Sequence, residues 1–170
     1  MNPFWIVRTG RLLMRPVSAA DLPGLRALKA DPRVFAVMLG GVRTPMRTVE
    51  ELAEEIGFWG RHGVGIWGVR HRVSGVFLGI AGFMDRPDGR GISLRFAFVP
   101  AEQGYGYASE AAGAALRFAH DRARLPRVVA VAREDNLASR QVLGGIGMRE
   151  YDRFDRAGVP MLVFESLSEG

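Results

Sequence analysis

The chain has no cysteine, and that absence removes disulfides, thiolate metal ligands and a cysteine nucleophile together. Histidine is scarce too. His62, His71 and His120 stand apart, without HxxxH or HExxH spacing, so a zinc centre is not indicated. No run approaches the roughly 18 uninterrupted apolar residues of a membrane span. The opening MNPFWIVRTGRLLMRP has arginine on both sides of its short apolar pieces and no small-residue cleavage site, which speaks against a signal peptide. A cytoplasmic protein is the expectation. Internal repeats and linker-like stretches are also missing.

What is present is a globular composition: 48% hydrophobic and 24% charged residues over 170 positions, enough for one domain spanning 1–170 with a single substantial core. The net charge of +5 comes from arginine far more than lysine, and the guanidinium fork suits phosphate. No dense basic run is interleaved with aromatics, so a nucleic-acid platform is a weaker reading than a phosphorylated small molecule. A solvated arginine face is the plain alternative.

Along the chain, TGRLLMRPV reads as a strand, followed by a capping-box-like Ser18 to Asp21 and a helix with leucines at 22, 25 and 28. Asp31-Pro32 stops that helix, and Thr48 is expected to cap a second, VEELAEEIGFW. GIWGVRHR and GVFLGIAGFM predict paired antiparallel strands, and ISLRFAFVP a third. A long alanine-rich helix ends at Pro126. RVVAVAR reads as a buried strand, Asp135-Asn136 as the cap of a helix through LASRQVLGGIG, and the tail as two strands joined near Ala157-Gly158. The order βααβββαβαββ predicts an α/β fold: one mixed, mostly antiparallel, twisted sheet with helices on both faces. Trp5, Trp59 and Trp67 are expected to be buried anchors.

The stretch EQGYGYASEA, Glu102 to Ala111, sits between the third strand and the long helix. Strand, Gly104-Tyr105-Gly106, then helix leaves unpaired backbone amides at the positive end of a helix dipole, a place suited to phosphate oxygens. Glycines that merely permit a tight turn are the alternative. A dinucleotide fingerprint would need glycine or alanine where Ser109 stands, and a P-loop would need Gly-Lys-Ser/Thr, which is absent.

The pattern that remains, Gln103-Gly104-Tyr105-Gly106-Tyr107-Ala108 after a strand, resembles the GNAT superfamily of acetyl-CoA-dependent N-acyltransferases, particularly the branch that acetylates ribosomal-protein N-termini. LLMRP, PAEQGYGYASEA and REDNLASRQVLGGIGMRE extend the resemblance over almost the whole chain in order. It implies a splayed strand whose backbone at Phe98 and Val99 pairs with the pantetheine arm, and a diphosphate loop from Gln103 to Ser109. It also implies contacts from Asn136 and Ser139 near the thioester, with Arg140 in reach of a phosphate. The implied co-substrate is acetyl-CoA, without metal.

Acetyl transfer to an amine needs a neutral nucleophile, a donor to the developing oxyanion and a proton for the departing thiolate. The resemblance places the oxyanion donor at a backbone amide near Phe98. The family's usual tyrosine acid is replaced by Leu143, and its frequent glutamate base by Ser93. Ser139 is the candidate catalytic hydroxyl, with simple cofactor contact or helix capping as alternatives. Glu110 reads as a structural tie to the neighbouring loop. The expected partners are acetyl-CoA and an amine, either a protein N-terminus or a small molecule, and the expected assembly is a monomer or homodimer. The competing reading is a catalytically weak acyl-CoA-binding sensor or partner module.

Overall fold

The computed structural model describes residues 1–169. A two-residue edge strand β1 (Val7–Arg8) precedes β2 (Leu12–Pro16), α1 (Leu22–Ala30), the single turn α2 (Pro32–Phe35) and α3 (Pro45–His62). Then come β3 (Ile66–His71), β4 (Phe77–Asp85), β5 (Ile92–Phe98), α4 (Tyr107–Arg117), β6 (Arg127–Arg133), α5 (Leu137–Gly145), β7 (Arg149–Arg156) and β8 (Val159–Leu167). All eight strands form one sheet in the order β1-β2-β3-β4-β5-β6-β8-β7. Every neighbouring pair is antiparallel except β5 and β6. The mixed α/β sheet expected from the sequence is the one observed.

Strand alternation sends successive side chains to opposite faces. Leu94 and Phe98 of β5 join the larger core, which packs α4 and α5 through Ala111, Ala112, Ala115 and Leu143. Ala97 enters a second core with Ile66, Ile80, Leu25, Leu28 and Leu52, beneath α1 and α3. Helices therefore cover both faces. The end of α3 carries Phe58 and Trp59 into the larger core. There Trp59 stacks edge-on to Trp67 with ring centroids 4.9 Å apart, and Trp67 meets Phe118 at 5.1 Å. Both indole N–H groups are satisfied: Trp59 donates to the Ile66 carbonyl at 2.8 Å and Trp67 to that of Trp5 at 2.6 Å.

Helix starts follow local chemistry, with one correction. Thr44, not Thr48, caps α3: its side chain accepts from the Arg47 amide at 3.1 Å, and Pro45 occupies the first helical position. Proline suits that position because its missing N–H would be unpaired there anyway. Thr48 lies buried one turn in, donating to the Thr44 carbonyl at 3.0 Å. Asp31 both ends α1 and caps α2, accepting from the Arg33 amide at 2.9 Å. The tail hairpin turns at Ala157 and Gly158, where φ is +51° and +82°. Two left-handed residues give the tight turn that matches strand twist.

Candidate active site

The parallel pair is where the sheet opens. β5 and β6 share one register position, Ser93 with Val129, and then part. The Val99 amide donates to the Leu78 carbonyl at 2.9 Å on β4. Because backbone groups alternate sides along a strand, the amides of Phe96 and Phe98 turn away from β4 and face the gap. Val99 is placed differently. Its carbonyl accepts from Glu102 at 2.9 Å, so both its backbone groups are already paired and only its side chain remains for a ligand. The Phe98 carbonyl is braced by the side-chain amide of Gln103, which donates to it at 3.0 Å.

Beyond β5 a short 3-10 turn, Pro100–Glu102, delivers the chain into the glycine stretch. Gly104 and Gly106 adopt φ of +88° and +82°, conformations that favour glycine, and Gly106 is the N-cap of α4 without any capping side chain. Among the described residues, no acceptor takes the backbone amides from Gly104 through Ser109; the first helical bond is Glu110 to the Gly106 carbonyl at 3.1 Å. Six consecutive free donors at a helix start form a candidate anion cradle.

The cradle is clamped from the side. Glu110, in the first turn of α4, accepts from the Thr9 hydroxyl, from the Arg11 amide at 3.0 Å and from Arg11 Nε at 2.7 Å. Partial burial works against the Glu110 charge, but these donors outweigh it and hold its carboxyl below the ordinary glutamate range. Arg11 reaches on to the Tyr105 carbonyl at 2.8 Å and lies over the Tyr107 ring, 4.6 Å from its centroid. Glu110 is thus the structural tie expected from the sequence.

Across the gap, Asn136 caps α5, its side-chain oxygen accepting from the Ser139 amide at 3.1 Å. The Ser139 hydroxyl makes no hydrogen bond among the described residues, and both side chains line the cleft. Arg140 is turned back, donating to the Glu134 carbonyl at 2.8 Å. Leu143 is 1% exposed and closes the floor from the larger core, while Ser93 is buried at the strand junction.

The cleft encloses about 760 Å³ and passes from Asn136 and Ser139, through the gap, to a chamber under α3 and the 36–44 loop. The glycine cradle lies outside this volume. The chamber holds a charge cluster that sequence reading missed. Lys29, the chain's only lysine, bonds Glu55 at 2.7 Å and Glu51 at 3.1 Å, and Glu51 also pairs with Arg43 at 3.0 Å. Burial pushes the Glu55 carboxyl up against the pull of Lys29. At Glu51, burial is outweighed by Lys29 and Arg43, and the carboxyl stays below its usual range. Glu55 Oε2 has no partner. Arg95 projects into the same chamber from β5, and Arg156 from the end of β7. Six residues from five separate segments could be joined only by the topology; the one sequence signal was the excess of arginine.

Among the described residues, no group of three or more His, Asp or Glu is arranged to hold a metal ion, and no helix is long and apolar enough to cross a membrane.

A mixed sheet parted between its two parallel strands, with an amide cradle at the mouth, defines an N-acyltransferase architecture. The chain belongs to the GNAT acetyltransferase family: the acetyltransferase (GNAT) domain matches residues 11–149. It is similar to an acetyltransferase from Agrobacterium tumefaciens, at 27% identity and a TM-score of 0.83 over 95% of this chain and 93% of that one. It shares its fold with a Salmonella typhimurium acetyltransferase that modifies the N-terminal serine of ribosomal protein L7/L12, at 17% identity and a TM-score of 0.82 over 96% and 99% of the two chains. It also shares it with a ribosomal L7/L12 N-terminal acetyltransferase in complex with coenzyme A, at 18% identity and a TM-score of 0.81 over 96% and 98%. Membership in an acetyltransferase family supports acetyl transfer as the chemistry.

Proposed function

We propose that the protein moves the acetyl group of acetyl-CoA onto a primary amine, a protein N-terminus or a small molecule, by direct transfer in a ternary complex. The observation that carries this reading is the run of six unpaired amides from Gly104 to Ser109 beside a parted strand pair. The amides from Gly104 onward receive the diphosphate beside the short side chains of Ala108 and Ser109. Gln103, expected to join them, has its amide on the Pro100 carbonyl at 3.2 Å and its side chain on Phe98, and so braces the loop instead. The exposed backbone edge at Phe96 and Phe98 takes the pantetheine arm as a further strand would. Val99 adds its side chain only. Asn136 and Ser139 line the far wall of the gap, where the thioester would lie. Arg140 contributes at a phosphate by leaving Glu134.

The chemistry then divides among few groups. A neutral amine attacks the thioester carbonyl, forming the C–N bond. The Phe98 amide donates to the oxygen that gains charge, and donors placed in advance cost no reorganisation at that moment. The C–S bond breaks, and the free Ser139 hydroxyl passes a proton to the sulfur, directly or through water, while regaining one from solvent in the cleft. The amine's surplus proton leaves by the open cleft. Leu143 and Ser93, where the family often carries an acid and a base, leave positioning of an already activated ester as the main source of rate.

Calorimetric titration with acetyl-CoA, followed by measurement of free CoA released with a panel of amines, tests this. Binding with amine-dependent CoA release supports transfer. Binding with CoA release no faster than background hydrolysis supports the sensor alternative. Absence of binding rejects the reading. Ser139→Ala is expected to lower turnover with acetyl-CoA affinity kept, and a stable acetyl-enzyme seen by mass spectrometry contradicts direct transfer.

A further inference from the structure

The chamber under α3 contains more positive charge than its carboxylates neutralise. Arg43 is paired with Glu51, Arg86 with Asp88 and Arg133 with Asp135. Arg95 and Arg156 are different. Among the described residues, neither has a carboxylate partner, and the one hydrogen bond between them is from Arg156 to the Val37 carbonyl at 3.3 Å. Arg95 remains exposed within the cleft and Arg156 partly so. Desolvation and repulsion from Arg86 disfavour the charge on both, Arg43 also repels Arg95 and Arg133 repels Arg156, while Glu55 and Glu51 attract Arg95 from beyond ion-pair distance. Guanidiniums gathered in a cleft against the repulsion of neighbouring arginines, with no carboxylate in contact, keep their donors open to a ligand. The same arrangement is what bidentate recognition of an oxyanion requires.

Position narrows the ligand. Arg95 immediately precedes Phe96 on β5, and consecutive α-carbons lie about 3.8 Å apart. Its side chain leaves toward the α3 face, along with Ala97, while the Phe96 amide faces the gap. An anion on Arg95 therefore sits within one small molecule's length of the strand edge assigned to the thioester arm. The wall between is apolar, with Phe35, Met38, Ile80 and Met84.

Resting on the transferase reading above, we infer that the acceptor is a small primary amine carrying an oxyanion, a carboxylate or a phosphonate-type group, on a short apolar body. Arg95 binds the anion, with Arg156 supporting it, and both are specificity determinants rather than catalytic residues. An acidic peptide would reach the same cluster only by threading its second residue past the strand edge.

The test does not need turnover. The CoA-saturated protein is titrated calorimetrically with N-acetylmethionine, its neutral amide and an N-acetyl aminophosphonate. The acetylated anion is expected to bind at least about tenfold more tightly than the amide. Arg95→Gln is expected to remove that preference, and Arg95→Lys to restore part of it, each variant being checked for an intact melting transition. A phosphonate stronger than the carboxylate identifies the oxyanion as phosphate-like. Equal affinity for anion and amide, no binding of either, or a preference retained in Arg95→Gln overturns the inference. Tighter binding of an acetylated peptide with an acidic second residue overturns its small-molecule part. The same titrations run without CoA keep the anion site measurable if acetyl-CoA itself fails to bind, so failure of the transferase reading is seen separately.

Discussion

The two ends of the cleft are made of different material. At the cradle end the working groups are backbone amides, and glycines at φ near +85° with a helix start present them. At the α3 end the working groups are long charged side chains from α1, α3, β5 and β7, placed by the packing of elements distant in sequence. A backbone site tolerates almost any neighbour but no change of dihedral. A side-chain site tolerates backbone adjustment but fails when one charge loses its partner.

Breaking each end separately should expose that contrast. The largest expected effect is at Lys29, whose buried ammonium holds Glu55 at 2.7 Å. Lys29→Met should lower stability by about 3–5 kcal/mol at neutral pH, the range for breaking a buried pair, as read by urea unfolding. Burial already raises the Glu55 pKa, and loss of Lys29 raises it further. The folded state then binds more protons than the unfolded one above the ordinary glutamate range, so stability falls as pH rises through the folded pKa and recovers below it. Where the fold persists, acetyl-CoA affinity should be little changed.

Gly106→Val attacks the other end. A β-carbon there would lie 3.4 Å from Arg11 Nη2, at a φ of +82° that a branched side chain resists. About 1–3 kcal/mol of strain should weaken acetyl-CoA binding roughly tenfold to a hundredfold in calorimetry, leaving the Lys29 cluster intact. Glu110→Ala should be milder, about 1–2 kcal/mol of stability and a few-fold in affinity, since water screens the half-exposed Arg11. Because the folded Glu110 pKa is depressed, its contribution is present above the unfolded value and lost as pH falls through the folded one; the variant's melting profile should be flatter there. Asn136→Ala removes the cap of α5 together with part of the cleft wall, and the lost cap should cost about 1 kcal/mol in thermal melting.

The same contrast explains how much was legible in the sequence. The succession of elements from β2 onward, the glycine stretch, the end of α1 at Asp31 and the cap at Asn136 depend on residues close in sequence, and local rules reach them. The two-residue β1 and the single turn α2 are too short to leave such a signal. Pro45 misled because proline marks both a loop and a first helical turn, and Thr48 then looked like the cap. Val99 read as a strand-pairing position because sequence does not say which way a backbone amide points; the bond to Leu78 decides it. Lys29, Glu55, Arg95 and Arg156 are separated by up to 127 positions (156 − 29), and no spacing rule links them.

The most direct measurement of the central claim is a backbone amide NMR titration with acetyl-CoA. The account predicts saturable shifts concentrated at Gly104 through Ser109 and at Phe96 and Phe98, with Val99 and the β3 amides nearly still. Binding whose shifts avoid the glycine stretch, or no shifts at all, would contradict it.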